Sequence, residues 1–176
     1  DVVDNDTPNF APEGNIVAIV PKGMGIMVMA NRNVHVFKNR LSGNATAHVL
    51  IAAYPEDYDD DAYMFVPRGV YVHGNQYGEG GGAPDGEVGK TISDVSGTPV
   101  PDIVWDGVTT IPEYFSWVAA ENRIYVDEAE GTTFANLKMI SQLLLPWSTA
   151  PDTDISDYKG ALPEPKPVEL PQDQAG

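Results

Sequence analysis

Residues 15–54 read NIVAIVPKGMGIMVMANRNVHVFKNRLSGNATAHVLIAAY, and this stretch decides the expected fold. Four short apolar runs follow one another: Asn15–Val20, Met24–Ala30, Asn33–Lys38 and Ala45–Tyr54. They are parted by turn-forming clusters such as Pro21-Lys22-Gly23 and Ser42-Gly43-Asn44, where proline and glycine break regular structure. In the third run Val34 and Val36 alternate with His35 and Phe37, the period of a strand with two different faces. The first run, Ile16 to Val20, is apolar on both faces, as in a strand covered on both sides.

Working outward, Tyr63–Val66 and Val70–His73 add two more short runs around Pro67-Arg68-Gly69, and Asp102–Trp105 adds another. Closely spaced short strands with Gly and Pro turns predict a mainly β fold, an antiparallel β-sandwich or barrel with at most one or two short helices. Val17, Ile19, Ile26, Val28, Val34, Val36, Val49, Ile51, Trp105, Phe115 and Ile124 are its expected core. Two stretches fit either period. Residues 112–123 could open with Pro112 at a helix start or alternate as a strand that makes a hairpin with Arg123–Val126. Residues 133–145 place Phe134, Leu137, Ile140 and Leu144 on one helical face, and a helix is the preferred reading. Around the β-rich body (14–148), residues 1–13 form an N-terminal arm, 74–89 a long Gly-rich loop, and 149–176 a C-terminal arm. Pro163, Pro165, Pro167 and Pro171 favour an extended conformation in that last segment.

The 176 residues carry 26 Asp and Glu against 10 Lys and Arg, a formal charge of -16, with no cysteine. Disulfides, thiolate metal sites and cysteine nucleophiles are therefore excluded. The long-range field repels phosphate backbones, so nucleic acid is not an expected partner. No run approaches the roughly 18 apolar residues that a spanning helix needs.

Motifs with chemistry mostly fail on inspection. Gly86-Glu87-Val88-Gly89-Lys90-Thr91 ends like a phosphate-binding loop, but Pro84 stands where the first glycine is required, and Asp85 and Glu87 would oppose phosphate. His35, His48 and His73 lie on separate strands with no ligand spacing between them. No nucleophile elbow occurs. The expectation is a protein that is not an enzyme and has no obligate cofactor. Calcium is the one ion with candidates: Asp57, Asp59 and Asp61 alternate as in the first half of an EF-hand, although Ala62 and Arg68 replace its glycine and its bidentate glutamate. Tyr54, Tyr58, Tyr63, Tyr71 and Tyr77 gather around this acidic turn and the Gly-rich loop, a composition suited to carbohydrate or protein contact.

Two functions of different class follow as expectations. One is a structural protein of a virion or extracellular assembly, most specifically a tailed-virus capsid decoration or cement protein. Its arms would self-associate or hold the major capsid protein or other assembly subunits, on a virion surface or outside the cell. The other is a secreted carbohydrate-binding or adhesive β-sandwich module, with or without calcium.

Overall fold

The computed structural model describes residues 1–56, 58–144 and 150–165. Its ten strands are β1 (Val2–Val3), β2 (Met24–Met29), β3 (Arg32–Phe37), β4 (Arg40–Ser42), β5 (Ala47–Ala52), β6 (Arg68–His73), β7 (Gln76–Tyr77), β8 (Ile103–Trp105), β9 (Ile124–Asp127) and β10 (Phe134–Asn136). Three α-helices are set between or after them: α1 (Gly86–Ser96), α2 (Ile111–Phe115) and α3 (Met139–Leu144).

Strands that follow one another in sequence do not pair. The sheets are β1-β4-β7, β2-β5-β8-β10 and β3-β6-β9, and every pair within them is parallel. The chain runs through β2, β3 and β4, one strand per sheet, and then lays β5, β6 and β7 against them in the same order. It is a three-sided parallel coil with helices inserted between strands. This overturns the antiparallel sandwich or barrel, and three α-helices replace the one or two expected.

The physical reason lies at the corners. A type II′ two-residue hairpin calls for glycine at its first central residue, and a type I′ hairpin needs positive φ at both. Between β2 and β3 only Ala30 has it (φ 51°), and between β3 and β4 only Lys38 (φ 54°). One left-handed residue bends the chain into a new sheet without turning it back. Parallel neighbours must be joined by a long crossover, and the other two sides of the coil supply it. The run Arg123–Val126 likewise becomes β9 alongside β6, not one arm of a hairpin.

Alternation survives the change of topology. Val34, Val70 and Ile124 share a register, as do Val36, Val72 and Val126, and all but the partly buried Val34 are buried inside the coil. Val28, Leu41, Val49, Ile51, Ile103 and Phe134 join them from the other two sides. Outward-facing His35 and Tyr71 lie in register, with ring centroids 5.4 Å apart.

A second cluster covers the outer face of β2-β5-β8-β10, where Ile92 of α1 packs with Leu50, Val104 and Ala135. That sheet is buried on both faces, which is why β5 reads as the near-continuous apolar run AHVLIA. Two expected core residues are misplaced. Val17 is 56% exposed, because Ile16–Ile19 is a 3-10 turn and not a strand. Phe115 is 76% exposed at the end of α2. Tyr63–Val66 forms no strand, and the side chain of Ile19 lies outside the described residues.

The N-terminal residues and the segment from Asp152 to Tyr158 touch the body. β1 adds to the edge of β4, Arg40 grips Asp1 through two bonds of 3.1 Å, and Asn5 donates to buried Asn44 at 2.7 Å. Asp152 makes an antiparallel bridge with Asn136, and the 3-10 turn Ile155–Tyr158 seats Ile155 and Tyr158 on the core. Of the Pro-rich segment, residues 166–176 lie outside the described residues. The Gly-rich stretch carries β7 and the first turns of α1, and Lys90 pairs with Asp94 along that helix.

Asp106, just after β8, is a buried acid. It accepts the Ala53 N–H at 2.7 Å and the Val108 N–H at 2.9 Å. Burial raises its pKa to about 6, outweighing the two backbone bonds that lower it. A carboxyl whose folded pKa is raised contributes stability that is complete below its ordinary value near 4 and is lost as pH rises through 6. At ~1.36 kcal/mol for each tenfold change in proton affinity, the whole window is worth about 3 kcal/mol at most. Denaturant titrations of wild type and Asp106→Asn between pH 4 and 7 should show the wild type gaining up to about that much more on acidification. Parallel curves would mean that Asp106 is not the group that titrates.

Candidate functional site

The connection from β8 to β9, residues 106–123, stands off one corner of the coil and walls a cleft of about 400 Å³. Its floor is the start of β6 and the end of β8, represented by Arg68 and Trp105, and the turn at Asp157 and Tyr158 closes the far side.

Local sequence explains how the wall is built. Thr110-Ile111-Pro112-Glu113 starts α2 as a capping box. Glu113 accepts the Thr110 hydroxyl at 2.7 Å and its N–H at 3.3 Å. The other Glu113 oxygen meets Arg68 Nη2 at 2.8 Å, with the side chains only 16% and 24% exposed. Burial pushes the Glu113 carboxyl up, but the bonds from Thr110 and Arg68 outweigh it and hold the group below the usual carboxylate range. Gly69 lets β6 lie against the later part of the same connection. It has φ +61°, and a Cβ there would meet the Glu121 carbonyl at 2.6 Å, so only glycine lets β6 run this close to the 3-10 turn Ala120–Asn122.

Past α2 the chain presents Trp117 at the rim, 73% exposed, with the Arg123 guanidinium 5.8 Å from its ring centre. Opposite, Tyr158 accepts from Asn136 Nδ2 at 2.9 Å and donates to Asp152 at 3.3 Å. Burial, opposed in part by the Asn136 bond and reinforced by Asp152, pushes its hydroxyl up to about 12. Arg68 and Arg123 face Glu113 and Asp157 here, so the cleft is locally balanced within a chain of charge -16.

The residues singled out from sequence go elsewhere. His48 is buried inside the coil; its Nδ1 accepts from Asn44 and its Nε2 donates to the Gly78 carbonyl at 3.1 Å. His35 and His73 sit together on the outer face, ring centres 5.7 Å apart, away from His48. Asp59 and Asp61 are exposed in a turn closed by Asp60, which accepts from Ala62 N, and Asp57 lies outside the described residues. Among the described residues no three His, Asp or Glu side chains converge on a metal position. Tyr54, Tyr58 and Tyr63 do cluster, with Tyr58 and Tyr63 4.8 Å apart edge to face, whereas Tyr77 is partly buried against the core and donates to Glu128. Sequence reasoning does not find Trp117, Arg123 or the Arg68–Glu113 pair. The capping box at 110–113 is the one local signal for the wall they stand on.

Fold and cleft together define a parallel coil with an aromatic-rimmed pocket at one corner. No protein-family model matches the chain, and neither the curated proteins nor the solved structures give a significant match. No helix of the described residues is long and apolar enough to cross a membrane.

Proposed function

We propose that the chain is a saccharide-binding module of an extracellular or virion-surface assembly, and that the Trp117 cleft holds the sugar without cleaving it. The observation that carries this reading is the pairing of an exposed indole with buried polar groups on residues that line the same cleft. A pyranose has an apolar face of C–H groups and a polar rim, so it suits a site with a flat aromatic wall and a few fixed hydrogen-bonding groups. Glu113, held below its usual range, is poorly suited to donate a proton at neutral pH and so to act as a general acid.

The test is a screen of immobilised glycans followed by calorimetry on the best binder. Trp117→Ala should weaken that binder by about 2 kcal/mol, roughly 30-fold, as for a central aromatic anchor. Because Trp117 is mostly exposed, the melting temperature should stay nearly constant. A wild-type protein that retains no glycan would sink the reading.

One observation favours a second reading, the structural subunit that self-associates or decorates a capsid. Ile111 and Phe115 of α2 and Leu143 and Leu144 of α3 are exposed, and the two helices are joined by a Tyr114–Ser141 hydrogen bond of 2.8 Å. Exposed apolar strips of this kind mark protein contacts. Light scattering across a concentration series, with and without chelator because of Asp57, Asp59 and Asp61, should then show a mass that grows with concentration. Phe115→Asp should hold it at the monomer. A constant monomer mass in the wild type would remove this reading.

A further inference from the structure

We infer that the sugar held by the Trp117 cleft is an acidic one, bound through its carboxylate by Arg68, Trp105 and Thr109; this rests on the saccharide reading above. Among the described residues four buried side-chain polar atoms have no hydrogen-bond partner: Arg68 Nε, Trp105 Nε1, Thr109 Oγ1 and His73 Nε2. The first three belong to residues that line this one cleft. Orphaned buried donors are rare and costly, so three around one pocket ask for an explanation.

Their chemistry narrows the partner. The Arg68 Nε–H and the Trp105 indole N–H are donors only, and the Thr109 hydroxyl donates as readily as it accepts. The acceptor that stands nearby is already used: one Glu113 oxygen takes Arg68 Nη2 and the other takes Thr110. A sugar hydroxyl brought to these atoms would carry a hydrogen of its own, which of the three groups only the Thr109 oxygen could receive. A carboxylate brings lone pairs and no hydrogen, and hydrogen bonds to a charged acceptor are the stronger ones. The three atoms are enclosed in the free protein, so a carboxylate reaches them only with side-chain movement in the cleft lining. At physiological salt the fields of distant carboxylates are screened beyond about 8 Å, so the charges that matter to the ligand are those lining the cleft, Arg68 and Arg123 against Glu113 and Asp157.

The experiment follows the Trp105 indole N–H resonance in the full chain. It is assigned with Trp105→Phe and titrated with glucuronate, galacturonate and N-acetylneuraminate, and with neutral glucose and galactose. At least one acid should shift the resonance and bind about tenfold or more tighter than the neutral sugars. Thr109→Val should weaken that acid by about tenfold while the melting temperature stays level or rises, because it deletes a hydroxyl that has no partner in the free protein. If neutral sugars bind as tightly as the acids, the carboxylate inference falls and the saccharide reading stands. If no sugar of either kind moves the resonance and the glycan screen is also blank, both fall. If Thr109→Val loses stability and leaves binding unchanged, the hydroxyl belongs to the fold and the inference is overturned.

Discussion

Ile51→Ala should lower the unfolding free energy by about 2–5 kcal/mol, the range for emptying a fully buried aliphatic site. Ile51 is fully enclosed at the middle of the second coil, with Val28 of the first coil on one side and Trp105 of the third on the other. Its loss opens a void on the axis, where the strands above and below are fixed by their own hydrogen bonds and cannot close in. The upper half of the range is therefore expected, in a urea titration with unchanged slope. A change under about 1 kcal/mol would mean that Ile51 does not face the interior. In a coil each turn touches only the turns above and below it. A weakened central rung can thus uncouple the two ends, and a transition that splits into two steps would show it.

The second large effect is expected at Asn75. Its backbone N–H donates to Glu128 at 2.8 Å, and its side chain donates to the Val36 carbonyl at 2.9 Å and to Glu128 at 2.6 Å. Its side-chain oxygen accepts from the Asn39 backbone at 2.9 Å and from the Asn39 amide at 3.0 Å. Asn39 and Asn75 occupy the same corner in successive coils, each just after a left-handed residue, Lys38 or Gly74. Asn75→Ala would strand the Val36 carbonyl and the Asn39 N–H, at about 1–3 kcal/mol for each buried group left without a partner, while Glu128 keeps the Tyr77 hydroxyl and the residue-75 N–H. A total loss of about 3 kcal/mol or more is expected by thermal or urea unfolding. Asn75→Asp should not restore it, because a carboxylate cannot donate to Val36 and would stand against Glu128. A near-neutral Asn75→Ala would show that water replaces the whole network.

The Asn39–Asn75 stack also shows what the sequence could have revealed. Residues 32–39, RNVHVFKN, and 68–75, RGVYVHGN, are two copies of one pattern, arginine, alternating valines and a corner asparagine. Self-similarity is the signature of a wound repeat; here two copies are followed at a longer interval by a third, at 122–129, that keeps little beyond Ile124, Tyr125 and Val126. Alternation locates most of the strands correctly because it depends only on which side chains face in. It carries no information on whether the next strand runs parallel or antiparallel, and short connectors therefore read as hairpins. Val17 and Phe115 show the converse limit, since an apolar residue in a short irregular segment has no periodicity to place it.

The cleft is less legible than the coil. Arg68 and Glu113 meet only because residues 106–123 fold back over the start of β6, a long-range event with no local mark. In the sequence Trp117 reads as one more alternating aromatic. Orphaned donors such as Trp105 Nε1 exist only as a relation between a buried atom and everything around it, which no linear pattern encodes.

The corner between the second and third sides of the coil is crossed three times, by residues 30–31, then 53–67, then 106–123. The first crossing is a bare bend, the second carries the tyrosine cluster, and the third carries the wall of the cleft. Strand register is held by the neighbouring coils whatever lies between them. This one edge can therefore accept insertions of any length without disturbing the stack. Recognition and architecture are in this sense separately heritable: a new specificity could be grafted by exchanging a single crossing, with the Asn39–Asn75 corner and the valine rows left as they stand.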